Sequence, residues 1–104
     1  MIIVTTETIN GKNFNHLGMV CGNVVTSKNF VKDFGAGLKS IVGGELGSYT
    51  KMLSEARDIA TQRMIQAAES IGADAIVNVR YSSSAIMQGS AEIVATGTAV
   101  KFID

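Results

Sequence analysis

Residues 49–72, YTKMLSEARDIATQRMIQAAESIG, constrain the fold of this chain more than any other stretch. Apolar residues recur there at intervals of three and four, which is the spacing of a helix with one buried stripe. Polar residues such as Lys51 and Glu55 take the other face. Gly72 suits the left-handed position that ends such a helix, and Ser48 is predicted to be its N-cap. The predicted buried stripe comprises Tyr49, Met52, Leu53, Ala56, Ile59, Ala60, Met64, Ala67, Ala68 and Ile71.

Length and charge limit the class of protein. A chain of 104 residues has the size of one domain, and we expect a single domain over residues 1–104. Nine basic and nine acidic residues are scattered and sum to zero, so neither nucleic acid nor a membrane surface is an expected partner. The start, MIIVTTET, lacks the basic region of a signal peptide, and Cys21 has no second cysteine for a disulfide. We therefore expect a cytoplasmic protein.

The rest of the chain has the pattern of strands, turns and a second helix. Residues 2–6 form a short β-rich run ahead of the turn pair Asn10-Gly11. Residues 29–42 have helical spacing despite Gly35 and Gly37 and predict a second amphipathic helix. Three runs with period-two alternation predict strands over residues 17–25, 73–84 and 91–103, with a turn near Gln88 and Gly89.

These elements predict a two-layer α/β (α+β) unit in the order β, α, α, β, β. Residues 93, 95, 97 and 99 form one face of the last strand and are mostly small, so we expect the long helix to pack there. One helix leaves the opposite face uncovered, where Ile76, Val94, Val100 and Phe102 are predicted to lie. Strand edges add further unsatisfied surface, and a symmetric homo-oligomer covers both. We therefore expect a homo-oligomer.

An ordered set of motifs resembles a known family. The motifs are Gly43-Gly44, Gly47-Ser48-Tyr49, ARDIA at residues 56–60, GADAIV at residues 72–77 and GTAV at residues 97–100.

On these motifs the chain resembles, over nearly its whole length, the YbjQ-like family of mostly uncharacterised bacterial and archaeal proteins, described as heavy-metal-binding. The resemblance implies a dodecin-like subunit with a β-α-β-β core, in which an antiparallel sheet of order 1-3-2 carries one long helix. It also implies extra small strands near the N-terminus and a homopentameric ring.

A metal site is the most concrete hypothesis for the side chains. Cys21 and His16 are the only soft ligands besides the methionines. A closed zinc site needs four ligands, so one chain cannot supply it from these two residues. Five copies of either side chain around a five-fold axis could bind a thiophilic ion, and we therefore take Cys21 and His16 as candidate metal ligands. The competing interpretation is a buried hydrophobic cysteine and a surface histidine.

Other polar residues have structural interpretations. Asp74 is expected to hydrogen-bond the backbone in the turn between helix and strand, and Arg80 and Glu92 are placed to pair across the hairpin. The glycines at 35 and 37 have the wrong spacing for a phosphate loop. Four methionines are predicted to fill the core: Met19, Met52, Met64 and Met87.

No nucleophile and base, or carboxylate pair, occurs at a spacing that indicates catalysis, so we do not expect an enzyme. The favoured interpretation is an oligomeric binding or scaffold protein with an unknown ligand. One alternative is heavy-metal binding or a metal stress response, which the resemblance implies. The other is storage of a small ligand at subunit interfaces, by fold-level analogy with dodecins.

Overall fold

The computed structural model describes residues 1–27, 41–42, 45–87 and 89–103. Within these ranges, no helix has the length and apolar character that crossing a membrane requires. The described elements are β1 (Ile2–Ile3), β2 (Asn13–Ser27), β3 (Ile41–Val42), β4 (Glu45–Leu46), α1 (Gly47–Ser70), β5 (Ala75–Met87) and β6 (Ser90–Ile103).

The main sheet has four strands in the order β1-β5-β6-β2. β6 lies in the centre and pairs antiparallel with both β2 and β5, whereas β1 pairs parallel with β5. The sheet is therefore mixed and not purely antiparallel, because the N-terminal strand adds a parallel edge. β3 and β4 form a separate two-stranded antiparallel sheet.

The long helix occupies the predicted stretch, with a correction at its start and with the predicted role of Gly72 confirmed at its end. It begins at Gly47, so Ser48 lies inside it and is not the N-cap. It ends at Ser70 and is followed by Gly72 with φ of 78°. The amide of Ala73 donates to the carbonyl of Ala68 at 3.1 Å, which is the bonding expected where a glycine ends a helix.

The second predicted helix, residues 29–42, lies outside the described residues except for its last two. Ile41 and Val42 form β3 instead, in keeping with the preference of β-branched side chains for strands. Gly35 and Gly37 also lie outside the described residues, as does Gln88 at the predicted turn. Gly89, which follows Gln88, has φ of 76°, a turn conformation that glycine adopts without strain.

One buried ridge of α1 packs on the sheet, and the predicted face of β6 receives it. Among its sheet neighbours are Ile93, Ala95 and Ala99, together with Val20 of β2. The ridge is narrower than the predicted stripe, because Leu53, Ile59 and Ile71 remain exposed. It consists of Met52, Ala56, Ala60, Met64 and Ala68.

Gly22 sets how closely the helix approaches β2. A Cβ built on Gly22 would overlap the carbonyl oxygen of Ala60 and the amide nitrogen of Met64, and would lie 2.8 Å from the carbonyl carbon of Arg63. The helix backbone therefore rests directly on the glycine. Arg63 adds a hydrogen bond from its guanidinium to the carbonyl oxygen of Asn23 at 2.6 Å.

A β-bulge divides β5 into two parts whose side chains alternate in opposite senses. Val77 pairs with Thr98 and Arg80 pairs with Thr96, so Asn78 and Val79 together oppose one residue of β6. Asn78 has φ of 55°, a left-handed conformation that asparagine tolerates better than most residues. Ile76 and Val79 consequently lie in the core under the helix, whereas Ala75 and Val77 face the other side. The prediction that Ile76 lies on the face away from the helix was wrong.

The N-terminal segment covers half of that second face. Ala75, Val77 and Val100 are fully buried there, and Val4, Ile9, Phe14 and Phe102 pack against them. The segment is attached to β5 by two backbone bonds of 3.0 Å, from Val79 to Val4 and from Asn78 to Thr6. The prediction that a single chain leaves Val100 uncovered was wrong, because periodicity gave no sign that residues 4–9 fold over this end of the sheet.

Candidate functional site

No segment among the described residues covers the other half of the second sheet face in this way. On β2 this surface consists of Met19, Cys21, Asn23 and Val25, all of which are exposed. Opposite them on β6 lie Thr98, Thr96, Val94 and Glu92, all half-buried. We call these eight residues the open face. Val20, Gly22 and Val24 alternate with the β2 members and lie on the side of the sheet that the helix covers.

His16 and Cys21 share this side of the sheet but lie far apart. His16 pairs with Val100 and Cys21 pairs with Thr96, which are four residues apart along β6. At about 3.3 Å per residue, the two positions are about 13 Å apart, too far for one ion to bind both side chains of a single chain. The His16 ring instead contacts Phe14 edge to face, with ring centroids 5.6 Å apart.

Met19 is the nearest soft ligand to Cys21 along the strand. The two residues are two positions apart on the same side of β2, or about 7 Å between Cα atoms. Both are exposed, and Met19 retains 81% of its accessible surface. Met87 is also exposed at 66%, so the prediction that the four methionines fill the core holds for Met52 and Met64 but is wrong for Met19 and Met87.

The charged residues near the open face have structural contacts. The Asn23 amide donates to the Glu92 carboxylate at 3.1 Å. The predicted pairing of Arg80 with Glu92 does not occur. The Arg80 guanidinium instead donates to the carbonyl oxygen of Thr5 at 2.8 Å and so holds the N-terminal segment on β5. Within the described residues, no group of three or more histidine, cysteine, aspartate or glutamate side chains is placed to bind a metal ion.

Asp74 has the structural role expected of it, with a different partner. Its carboxylate accepts a hydrogen bond from the backbone amide of Phe102 at 2.8 Å and lies 3.4 Å from the Lys101 ammonium. The carboxylate thus joins the start of β5 to the end of β6. The hydrogen bond from Phe102 is the main reason why the pKa of Asp74 is lowered, and the charge of Lys101 lowers it further.

The lowered pKa of Asp74 predicts a pH dependence of stability. The folded state favours the carboxylate, so its contribution is complete above the unfolded-state pKa of about 3.9 and is lost as pH falls through the lower folded-state pKa. Urea unfolding between pH 5 and pH 2, at fixed protein concentration, should show this loss. Asp74→Asn should flatten the profile. Lys101→Ala should change it much less, because the Phe102 amide remains; an unchanged profile for Asp74→Asn would contradict the assignment.

A groove runs beside the end of β2. It has a volume of about 220 Å³ and is lined by Val24, Val25, Thr26 and Ser27 of β2 and by Met52, Glu55, Ala56 and Ile59 of α1. Successive strand residues point to opposite faces, yet all four of these β2 residues line the groove. The groove therefore lies along the outer edge of β2, beneath the flank of the helix. The sequence pattern missed it, since it assigned Ile59 to the buried stripe.

One long helix on a four-stranded mixed sheet, with the soft ligands Met19 and Cys21 on its open face, defines an α+β protein with a candidate ligand surface. The chain belongs to the YbjQ family, whose model matches residues 1–103. That family is described as "Putative heavy-metal-binding". This confirms the family to which the motifs pointed.

Relatives of similar length support the same assignment. A UPF0145 protein of Clostridium novyi is 53% identical over 99% of this chain and 100% of its own length. A UPF0145 protein of Vibrio parahaemolyticus is 56% identical over 100% of both chains. The crystal structure of a DUF74-family protein of unknown function from Pediococcus pentosaceus has a TM-score of 0.71 at 15% identity, covering 99% of this chain and 98% of that one. At that identity the likeness shows the fold alone.

Proposed function

We propose that this protein is a cytosolic, homo-oligomeric binding or scaffold protein without catalytic activity, and that it assembles as a ring of five dodecin-like subunits. The observation that carries the proposal is the apolar surface that one chain leaves exposed. Monomeric proteins rarely expose a large contiguous apolar patch, and Met19 and Val25 lie on the same open face. The exposed large apolar side chains are Met1, Ile2, Leu17, Met19, Val25, Leu53, Ile59, Ile71, Tyr81, Ile86, Met87 and Ile103.

The size and shape of the chain support the proposal. Its accessible surface is 6630 Å², whereas a monomeric protein of 10.9 kDa exposes about 5600 Å². Its radius of gyration is 16.7 Å, against about 13 Å for a compact domain of this length.

Sedimentation velocity at micromolar concentration tests the assembly. We expect one species near five times 10.9 kDa, stable to dilution. A folded monomer under these conditions would remove the oligomer, and a discrete species of another size would remove the ring of five alone.

Heavy-metal binding is a second candidate function, and the open face favours it. Cys21 and Met19 supply a thiolate and a thioether on one exposed surface, and both are soft ligands that suit Cu⁺ or Cd²⁺. A ring would bring five such pairs into one assembly. The description of the family agrees with this candidate.

Calorimetry and elemental analysis test metal binding. Purified protein titrated with Cu⁺, Cd²⁺ and Zn²⁺ should bind the softer ions, and Cys21→Ser should weaken that binding at least tenfold. His16→Ala is the matched control, because His16 lies too far from Cys21 to share its ion within one chain. Absence of binding by the unsubstituted protein, or equal binding by Cys21→Ser, would remove this candidate.

A further inference from the structure

Two edges of the main sheet end without a strand beside them in the described part of the chain. β2 is the last strand in the order β1-β5-β6-β2, so no strand of the described residues lies along its outer edge. β5 has the N-terminal segment beside it only as far as Val79, whose amide bonds Val4. The outer edge of residues 81–87 is therefore open as well.

Neither edge carries the usual protection against strand pairing. Such edges are commonly blocked by proline or lysine, and neither residue type occurs in β2 or β5. The one charged residue of either strand, Arg80, is bonded to Thr5 of the N-terminal segment. Apolar side chains stay exposed along both edges, with Val25 at 56% on β2 and Ile86 at 50% on β5.

The helix overhangs one edge and leaves the other uncovered. α1 lies over β2 and β6, and its flank forms the groove beside residues 24–27 with Met52 and Ile59. It reaches β5 through the hydroxyls of Thr61 and Tyr81, which are 2.8 Å apart. Beyond Tyr81, β5 is exposed and its next four residues are small: Ser82, Ser83, Ser84 and Ala85. A strand with such side chains fits under an overhanging helix.

We propose that the open edge of residues 81–87 in one copy of the chain pairs with the outer edge of residues 21–27 in a second copy. Its small residues lie in the groove, and the sheet continues from subunit to subunit. This inference rests on the proposed homo-oligomer and specifies its contact. β2 and β5 both run antiparallel to β6, so they point the same way, and cyclic repetition makes the intersubunit pair parallel. Each copy offers one edge of each kind, as a closed ring requires.

Cross-linking tests the pairing. Val25 and Ser84 are both level with Glu92 on the side of the sheet away from the helix, so the proposal brings Val25 of one copy near Ser84 of the next. In a Cys21→Ser background, a chain carrying both Val25→Cys and Ser84→Cys should give a ladder of multimers with a bis-maleimide on a denaturing gel. Each single substitution should give none, and neither should Val25→Cys combined with Glu69→Cys on the exposed helix surface.

The outcomes separate this inference from the oligomer itself. If the double variant gives no ladder while sedimentation still finds the assembly, the edge pairing is wrong and the oligomer stands. If Val25→Cys alone gives dimers, β2 pairs with itself and the head-to-tail contact is wrong. If sedimentation finds monomers before any substitution, both proposals fall.

A charge placed on the open edge provides a test without cross-linking. Ala85 is exposed in one chain, so Ala85→Lys should leave the circular dichroism spectrum unchanged while converting the assembly to monomers, at least a tenfold loss of assembled protein at micromolar concentration. Glu69→Lys, on the exposed side of the helix, should leave the assembly intact. Retention of the assembly by a folded Ala85→Lys would overturn the proposal.

Discussion

Gly22→Ala should lower the free energy of unfolding by about 3 kcal/mol, at the upper end of what overpacking costs. The new methyl group would overlap the backbone of Ala60 and Met64, and backbone cannot rotate away as a flexible side chain can. To accommodate the methyl group, the helix would have to lift from β2 and open the core around Met64. Urea denaturation at fixed protein concentration measures the change.

The neighbouring residue gives the matched control for Gly22. Cys21→Ala alters the same strand on its exposed side, where surface substitutions shift stability by about 0.5 kcal/mol or less. Equal urea midpoints for Gly22→Ala and the unsubstituted protein would mean that the helix does not rest on β2 as described.

Met64→Ala should cost about 3 kcal/mol, because Met64 is completely buried between the helix and the sheet. Truncation removes three heavy atoms and leaves a cavity whose walls include alanines, which cannot expand to fill it. Met64→Leu keeps most of the volume and should cost less than about 1.5 kcal/mol. Thermal and urea unfolding of the two variants should rank them in that order; equal losses would show that packing volume does not determine stability at this position.

The long helix was predictable because its pattern repeats over several turns. Met52, Ala56, Ala60, Met64 and Ala68 all belong to the predicted stripe and are all buried. The small face of β6 was recognised for a related reason, since a helix can approach a sheet closely where side chains are short. Gly22 has the same role on β2. A single glycine in a strand is equally typical of a bulge, so the sequence did not distinguish a bulge from a close approach of the helix.

The faces of the strands were harder to predict, because one extra residue reverses every side chain beyond it. Asn78 does this in β5, and Leu17 does it in β2, where the pairing shifts between His16 and Gly18. Periodicity identifies a strand but contains no marker for such an insertion. The placement of Ile76 failed because one regular alternation was assigned to the whole of β5 and cannot fit the residues on both sides of the bulge.

The candidate site was predicted only as a set of residue types. Cys21 and His16 were named from their chemistry, and whether either binds a metal ion stays a prediction. Their separation along β2 depends on the register with β6, which no local pattern specifies. The groove beside β2 was missed because residues 24–27 and the helix residues that line it are far apart in the sequence. No sequence motif links the two segments.

The pairing of β2 with β6 bears on how the chain reaches its native state. Asn13 faces Ile103 and Ser27 faces Ser90, so this half of the sheet depends on contacts between opposite ends of the sequence. The chain loses the entropy of closing this large loop before the contacts between β2 and β6 form. We therefore expect folding to be slow, in the range of milliseconds to seconds typical of non-local topologies. During synthesis on the ribosome, β2 emerges long before its partner β6. In that interval the backbone groups of β2 are unpaired and can bind chaperones or other nascent copies.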